Sequence, residues 1–223
     1  MTQELLPSVQ IQPKSEHKAT IIWLHGLGDS GNGFAPIAPE LKLPDELGVK
    51  FIFPHAPIRP VTINNGMEMR AWYDIKSMDM ESRADLSGVI DSSQRIEQLI
   101  HAEIASGIDS RKIMLIGFSQ GGVIALHLGA RFTQPLAGIV ALSTYMCAPQ
   151  TLSAEKSAEN QNTPVLFAHG QQDEVVPLFL GNAAFQTMRE NGYTVEWKEY
   201  MMQHNVCMPE IVDISAFIQA KLA

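Results

Sequence analysis

The chain has 223 residues, with 45% apolar and 18% charged side chains. That is an ordinary globular composition, which excludes collagen-like repeats, coiled coil and long disorder. Sixteen Lys and Arg against twenty-four Asp and Glu leave a net charge of −8 with no basic run, which argues against nucleic-acid binding and against anionic membrane surfaces.

One core of this size needs neither disulfide nor metal, so a single domain spanning residues 1–223 is expected. The first residues show no basic stretch followed by an apolar segment, so no secretory signal is expected. No run approaches the roughly 20 apolar residues of a membrane span, and stable membrane insertion is not expected either. Cys147 and Cys207 stand apart without CxxC spacing, which points to a reducing, cytoplasmic setting.

In chain order, residues 8–12 alternate and predict an antiparallel edge strand. Residues 20–24 and 49–53 read as buried strands, closed by Gly26-Leu27-Gly28-Asp29 and by Pro54. Residues 65–82 interleave five large apolar side chains (Met67, Met69, Trp72, Met78, Met80) with polar ones. They show no clean helix or strand period, and read as an adaptable loop beside an apolar site. From 85 to about 106, Leu86, Val89, Ile90, Ile96, Leu99, Ile100 and Ile104 recur at helical spacing. Residues 112–116 form a strand, followed by a helix over 120–131 that is apolar almost all round. Strands over 138–142 and 165–168 follow, then a helix over 177–191 stopped by Gly192. Residues 194–200 alternate as an edge strand, and 209–222 close the chain as a helix. Strands alternating with long helices predict an α/β fold, a mostly parallel sheet flanked by helices on both faces.

Gly117-Phe118-Ser119-Gln120-Gly121 stands where a buried strand hands over to an apolar helix. A nucleophilic serine needs its hydroxyl lifted clear of the sheet, and a sharp strand-to-helix turn flanked by glycines does this. Serine reacts only when a histidine takes its proton and an acid orients that histidine; in this architecture the chain order is Ser, acid, His. Of the histidines after Ser119, His127 lies inside the adjoining helix and His169 precedes any suitable acid. His204, in a loop past the last strand, is therefore the candidate base. Asp173 follows directly on a parallel strand, at the sheet edge where the reacting groups of open α/β folds gather, and is the candidate acid. The oxyanion needs two preorganised donors: the Gln120 amide supplies one, and the Leu27 amide, in the loop after an earlier strand, the other. His25 reads as a brace for that loop. No His, Cys or Asp cluster has metal-ligand spacing.

Together, His25-Gly26-Leu27-Gly28-Asp29, Pro54-His55-Ala56-Pro57, Trp72-Tyr73-Asp74-Ile75, Gly117-Phe118-Ser119-Gln120-Gly121-Gly122, His169-Gly170-Gln171-Gln172-Asp173 with Val176-Pro177, and His204 carry a resemblance. The chain is similar, from about residue 21 to 222, to the acyl-protein thioesterase/carboxylesterase (phospholipase/carboxylesterase) family of α/β-hydrolases. The resemblance implies a cofactor-free serine carboxylesterase with Ser119, Asp173 and His204 as its triad, and Leu27 and Gln120 as oxyanion donors. It also implies an acyl pocket lined in part by Met67, Met69 and Trp72. Expected substrates are small-molecule esters or acylated molecules. The alternatives are a lysophospholipase or depalmitoylase specific for long acyl chains and, more remotely, a non-catalytic ligand-binding protein. Some family members pair as homodimers through the surface around the active site. Two departures bear on the pocket: Asn205-Val206-Cys207 replaces small residues after the histidine, and Tyr73 stands where Phe is common.

Overall fold

Residues 4–77 and 84–223 are described in the computed structural model. Strand β1 (Ser8–Ile11) and strand β2 (Ala19–Leu24) precede two short helices, α1 (Gly31–Phe34) and α2 (Ile37–Glu40). Then come β3 (Val49–Pro54), β4 (Ile58–Val61), β5 (Met67–Arg70) and the long helix α3 (Leu86–Ala105). The second half runs β6 (Ile113–Phe118), α4 (Gln120–Arg131), β7 (Gly138–Leu142), α5 (Leu152–Glu155), β8 (Val165–Gly170), α6 (Leu178–Glu190), β9 (Val195–Tyr200) and α7 (Met208–Leu222).

Seven strands form one sheet in the order β1-β3-β2-β6-β7-β8-β9. β1 is antiparallel to β3, and every other neighbouring pair is parallel. The expected strands and long helices stand within a few residues of their predicted bounds, including the N-terminal antiparallel edge.

The central strands are apolar on both faces because each face carries its own core. Ile22 and Leu24 of β2, Leu115 of β6, Ile139 of β7 and Phe167 of β8 pack with α3, α4 and α6. The alternate residues Ile21 and Trp23, Met114 and Ile116, Val140 and Leu166 pack with α2 and α7. Two-residue strand periodicity thus sends neighbouring side chains into separate layers. α4 lies directly on the sheet, and every residue from Gln120 to Ala130 is buried, which explains its lack of a polar face. Asp85 starts α3 by accepting from the Gly88 amide at 3.2 Å. On that helix Val89, Ile96, Leu99 and Ile100 are buried as expected, whereas Leu86 and Ile90 lie exposed.

The segment expected as a loop over 65–82 is partly ordered as strand. Met67 to Arg70 pair antiparallel with Ile58 to Val61, so a two-stranded hairpin projects beside the main sheet. Its turn ends on Asn65 and Gly66, both at positive φ (55° and 75°). Asn-Gly is the usual residue pair for such backbone, and was the missed hairpin signal. Met78, Met80 and Ser82 lie outside the described residues.

Glu210 sits fully buried in the first turn of α7, where its Oε2 accepts from the Cys207 amide at 3.4 Å. Its Oε1 has no hydrogen-bond partner among the described residues. Burial pushes this carboxyl up to about 8 from the ordinary 4.5; the Cys207 amide opposes the rise and the charge of Asp213 adds to it. The native carboxyl therefore stays protonated where the unfolded chain has already ionised. Stability from this site is intact below about pH 4.5, declines as pH rises toward about 8, and levels off beyond. Glu210→Gln keeps the shape and removes the ionisation. Its melting temperature is expected to exceed that of the wild type by a margin that widens between those two pH values. A constant margin in thermal melts across that window contradicts this assignment.

Candidate active site

Ser119 joins β6 to α4 with φ 54° and ψ −118°, a left-handed backbone that non-glycine residues rarely adopt. The turn is tight enough that a Cβ on Gly117 would lie 2.1 Å from the Gly121 carbonyl oxygen. A Cβ on Gly121 would lie 2.2 Å from that of Leu24. Both glycines of the G-x-S-x-G pattern are therefore required by close backbone approach. The Ser119 amide donates to the Leu142 carbonyl at 2.9 Å, and its own carbonyl accepts from Thr144 Oγ1 at 2.6 Å. The end of β7 and the residues just past it thus hold the strained residue at both ends.

His204 lies in the loop between β9 and α7. Its Nε2 is 3.0 Å from Ser119 Oγ, and its Nδ1 is 2.7 Å from Asp173 Oδ2. A carboxylate only accepts, so Nδ1–H donates to Asp173, and the Nε2 lone pair faces the serine hydroxyl, which donates to it. The three residues expected from chain order are thereby in one hydrogen-bonded line. Phe118 packs against the His204 ring with 4.7 Å between centroids.

Asp173 Oδ1 accepts from the amides of Val175 and Val176 at 2.9 and 2.8 Å. Burial pushes the Asp173 carboxyl up, but the bond from His204 and the Val176 and Val175 amides outweigh it, leaving the group below the usual carboxylate value. A second imidazole stands close by: His169 Nε2–H donates to the Val176 carbonyl at 2.8 Å and lies 3.6 Å from Asp173 Oδ2. Burial lowers the pKa of His169 against the opposing pull of that carbonyl and of Asp173.

Leu27 and Gln120 both line the cavity at Ser119, and neither backbone amide is taken up by a hydrogen bond among the described residues. The Leu27 loop is anchored by His25. The Ala56 amide donates to His25 Nε2 at 3.1 Å, so the proton is on Nδ1, which donates to the Gly26 carbonyl at 2.7 Å. Burial lowers the His25 pKa, in keeping with this neutral tautomer. The Gln120 side chain forms a clamp, accepting from the Trp72 amide at 3.1 Å and donating to the Tyr73 carbonyl at 2.9 Å.

The cavity encloses about 330 Å³, and its apolar wall is made by Ile63, Ile75, Phe118, Tyr145, Val175 and Val176. Met67, Met69 and Trp72, the expected lining, are not among its residues. Met67 is 64% exposed on the hairpin, and Met69 is partly buried against the core beside Gly28. Trp72 is fully buried: its indole donates to the His25 carbonyl at 2.8 Å, and its own carbonyl accepts from Ser92 Oγ. It braces the loop and does not touch the cavity. Hairpin pairing turns Met67 outward, and the buried Trp72 indole has its N–H satisfied by the His25 carbonyl. The actual wall is legible only in part. Val175 and Val176 stand two and three residues past the acid, and Tyr145 follows a central strand at its C-terminal edge, where open α/β sheets bind ligands.

The model of the family described as Phospholipase/Carboxylesterase matches residues 7–222. The chain is 37% identical to acyl-protein thioesterase 1 of Gibberella zeae over 217 residues, 93% of this chain and 92% of the relative. Among solved structures it is similar to SOBER1 of Arabidopsis thaliana, with TM-score 0.88 and 32% identity over 92% of this chain and 100% of the other. It is likewise similar to acyl-protein thioesterase 2 of Zea mays, with TM-score 0.88 and 30% identity over 97% and 99% of the two chains. A serine elbow between β6 and α4, a mostly parallel sheet and a match over nearly the whole length leave one conclusion: the chain belongs to the phospholipase/carboxylesterase family of α/β-hydrolases.

Proposed function

We propose that the protein hydrolyses carboxylic esters or acyl thioesters through a covalent acyl-enzyme on Ser119. The observation that carries this reading is the line of bonds from Asp173 Oδ2 through both His204 nitrogens to Ser119 Oγ, at 2.7 and 3.0 Å. The curated relatives named acyl-protein thioesterase support the thioester branch.

In the first half, Ser119 Oγ attacks the acyl carbon while its proton passes to His204 Nε2. The carbonyl oxygen becomes an oxyanion facing the Leu27 and Gln120 amides. Collapse of the tetrahedral adduct expels the alcohol or thiol, which leaves with the proton from His204, and the acyl group stays on Oγ. Water then repeats the sequence: His204 takes its proton, the oxyanion forms and collapses, and the carboxylic acid departs as Ser119 regains its hydrogen. Asp173 holds the Nδ1–H tautomer throughout and steadies the imidazolium. Because its carboxyl lies below the usual value, it remains ionised in mild acid.

We also infer a reducing, cytoplasmic setting, supported by two free cysteines, of which buried Cys147 is pushed up to about 11 and stays a thiol. Among the described residues no helix is long and apolar enough to cross a membrane.

Ser119→Ala is expected to fold normally and to lose about 10³-fold or more in kcat on p-nitrophenyl butyrate and on an acyl thioester. Retention of most of the turnover removes Ser119 as nucleophile. Asp173→Asn keeps the size of the side chain but favours the wrong imidazole tautomer. A loss of up to about 10⁴-fold at neutral pH is expected, and a near-wild-type rate contradicts the assigned role.

A further inference from the structure

Tyr145 lies just past β7, buried, and among the described residues it alone lines both the cavity at Ser119 and a second, larger one. The second cavity measures about 650 Å³ and is walled by Leu86, Met146, Cys147, Leu180 and Ala184. The phenol of Tyr145 meets the Tyr73 hydroxyl at 2.9 Å. Tyr73 is itself fully buried, and its carbonyl accepts from the Gln120 side chain at 2.9 Å. The residue common to the two spaces is therefore tied, through one phenol and one backbone, to the residue that follows the serine.

From this juxtaposition we propose that Tyr145, locked by Tyr73, is a specificity-determining residue that stops the substrate's acyl chain at the end of the first cavity. The proposal rests on the hydrolase reading above and narrows it to short and medium acyl groups. An acyl chain seated at Ser119 finds apolar wall at Ile63, Ile75 and Val176, and then meets the Tyr145 ring. To pass into the second cavity it must turn that ring aside. The turn breaks a buried hydroxyl–hydroxyl bond, and methylene groups offer no replacement for it. It also drives a packed aromatic side chain off its rotamer. The larger space is thus shut off from an acyl chain held at Ser119 by one side chain, although its own wall is mostly apolar. Tyr73 supplies the lock and touches no substrate; it is a positioning residue.

The test measures kcat and KM separately for p-nitrophenyl esters from butyrate to palmitate. It uses the wild type, Tyr145→Ala, Tyr145→Phe and Tyr73→Phe, with Ser119→Ala as the blank and a thermal melt for each variant. In the wild type, kcat/KM is expected to fall beyond medium chain lengths. Tyr145→Ala is expected to raise the palmitate-to-butyrate ratio of kcat/KM by about tenfold or more, mostly through a lower KM for palmitate. The two Phe variants keep both rings, and each removes one hydroxyl of the Tyr73–Tyr145 bond; a rise of about threefold is expected for each. If the Ala variant does not fold, the Phe variants decide. Ratios within about twofold of the wild type in the folded variants, or a wild type that already prefers palmitate, overturn the proposal. Absence of any Ser119-dependent turnover in the wild type overturns the hydrolase reading first, and is told apart because no ratio then exists to compare.

Discussion

Ser119 holds its left-handed backbone only because Gly117 and Gly121 leave room for neighbouring carbonyls where a Cβ would stand. Such a conformation costs on the order of 1–3 kcal/mol and persists only where the surroundings over-determine it. Here β6 enters from one side, the buried helix α4 leaves on the other, and Leu142 and Thr144 bind the serine's amide and carbonyl. The strain aims Oγ out of the sheet, and it places the Gln120 amide at the start of a helix. Everything else in the site is arranged around that fixed point.

Neutral buried histidines do much of the arranging. His25 accepts from Ala56 and donates to Gly26, joining the Leu27 loop to the segment after β3. His169 spans from β8 to the Val176 carbonyl, next to the carboxylate that orients His204. Burial lowers the pKa of both. In each case a protonated ring would be charged in the interior, whereas the neutral ring satisfies the polar groups around it. These side chains position loops, and in the proposed reaction proton transfer falls to His204.

The layers of the fold were legible because buried parallel strands and amphipathic helices impose their periods on the chain. The line of Ser119, Asp173 and His204 was legible from chain order and from placement at strand ends. The pocket was not. Trp72 was expected to line the pocket on the strength of the family resemblance, but its indole N–H found a carbonyl inside, and nothing in its neighbours in sequence announces that. Ile63 lies in the hairpin turn and Ile75 just past the hairpin, and their convergence on Ser119 depends on a turn ending at Asn65-Gly66 that brings the two segments together. Nothing in the sequence around Glu210 marks it as buried; that is decided by the packing of α7 against the sheet.

The three residues of the hydrogen-bonded line do not rest on equally secure foundations. Ser119 follows a strand at the centre of the sheet, and Asp173 follows β8, which is paired on both sides. His204 follows β9, an edge strand joined to the sheet on one side only and half exposed along its length. Its loop is tied back mainly by the Gln171 and Gln172 amides to Tyr200 and Met202. Segments held by few buried bonds open at a lower free energy than the core. Local opening of this loop therefore costs less than unfolding the sheet, and it parts the histidine from its partners without dismantling the core.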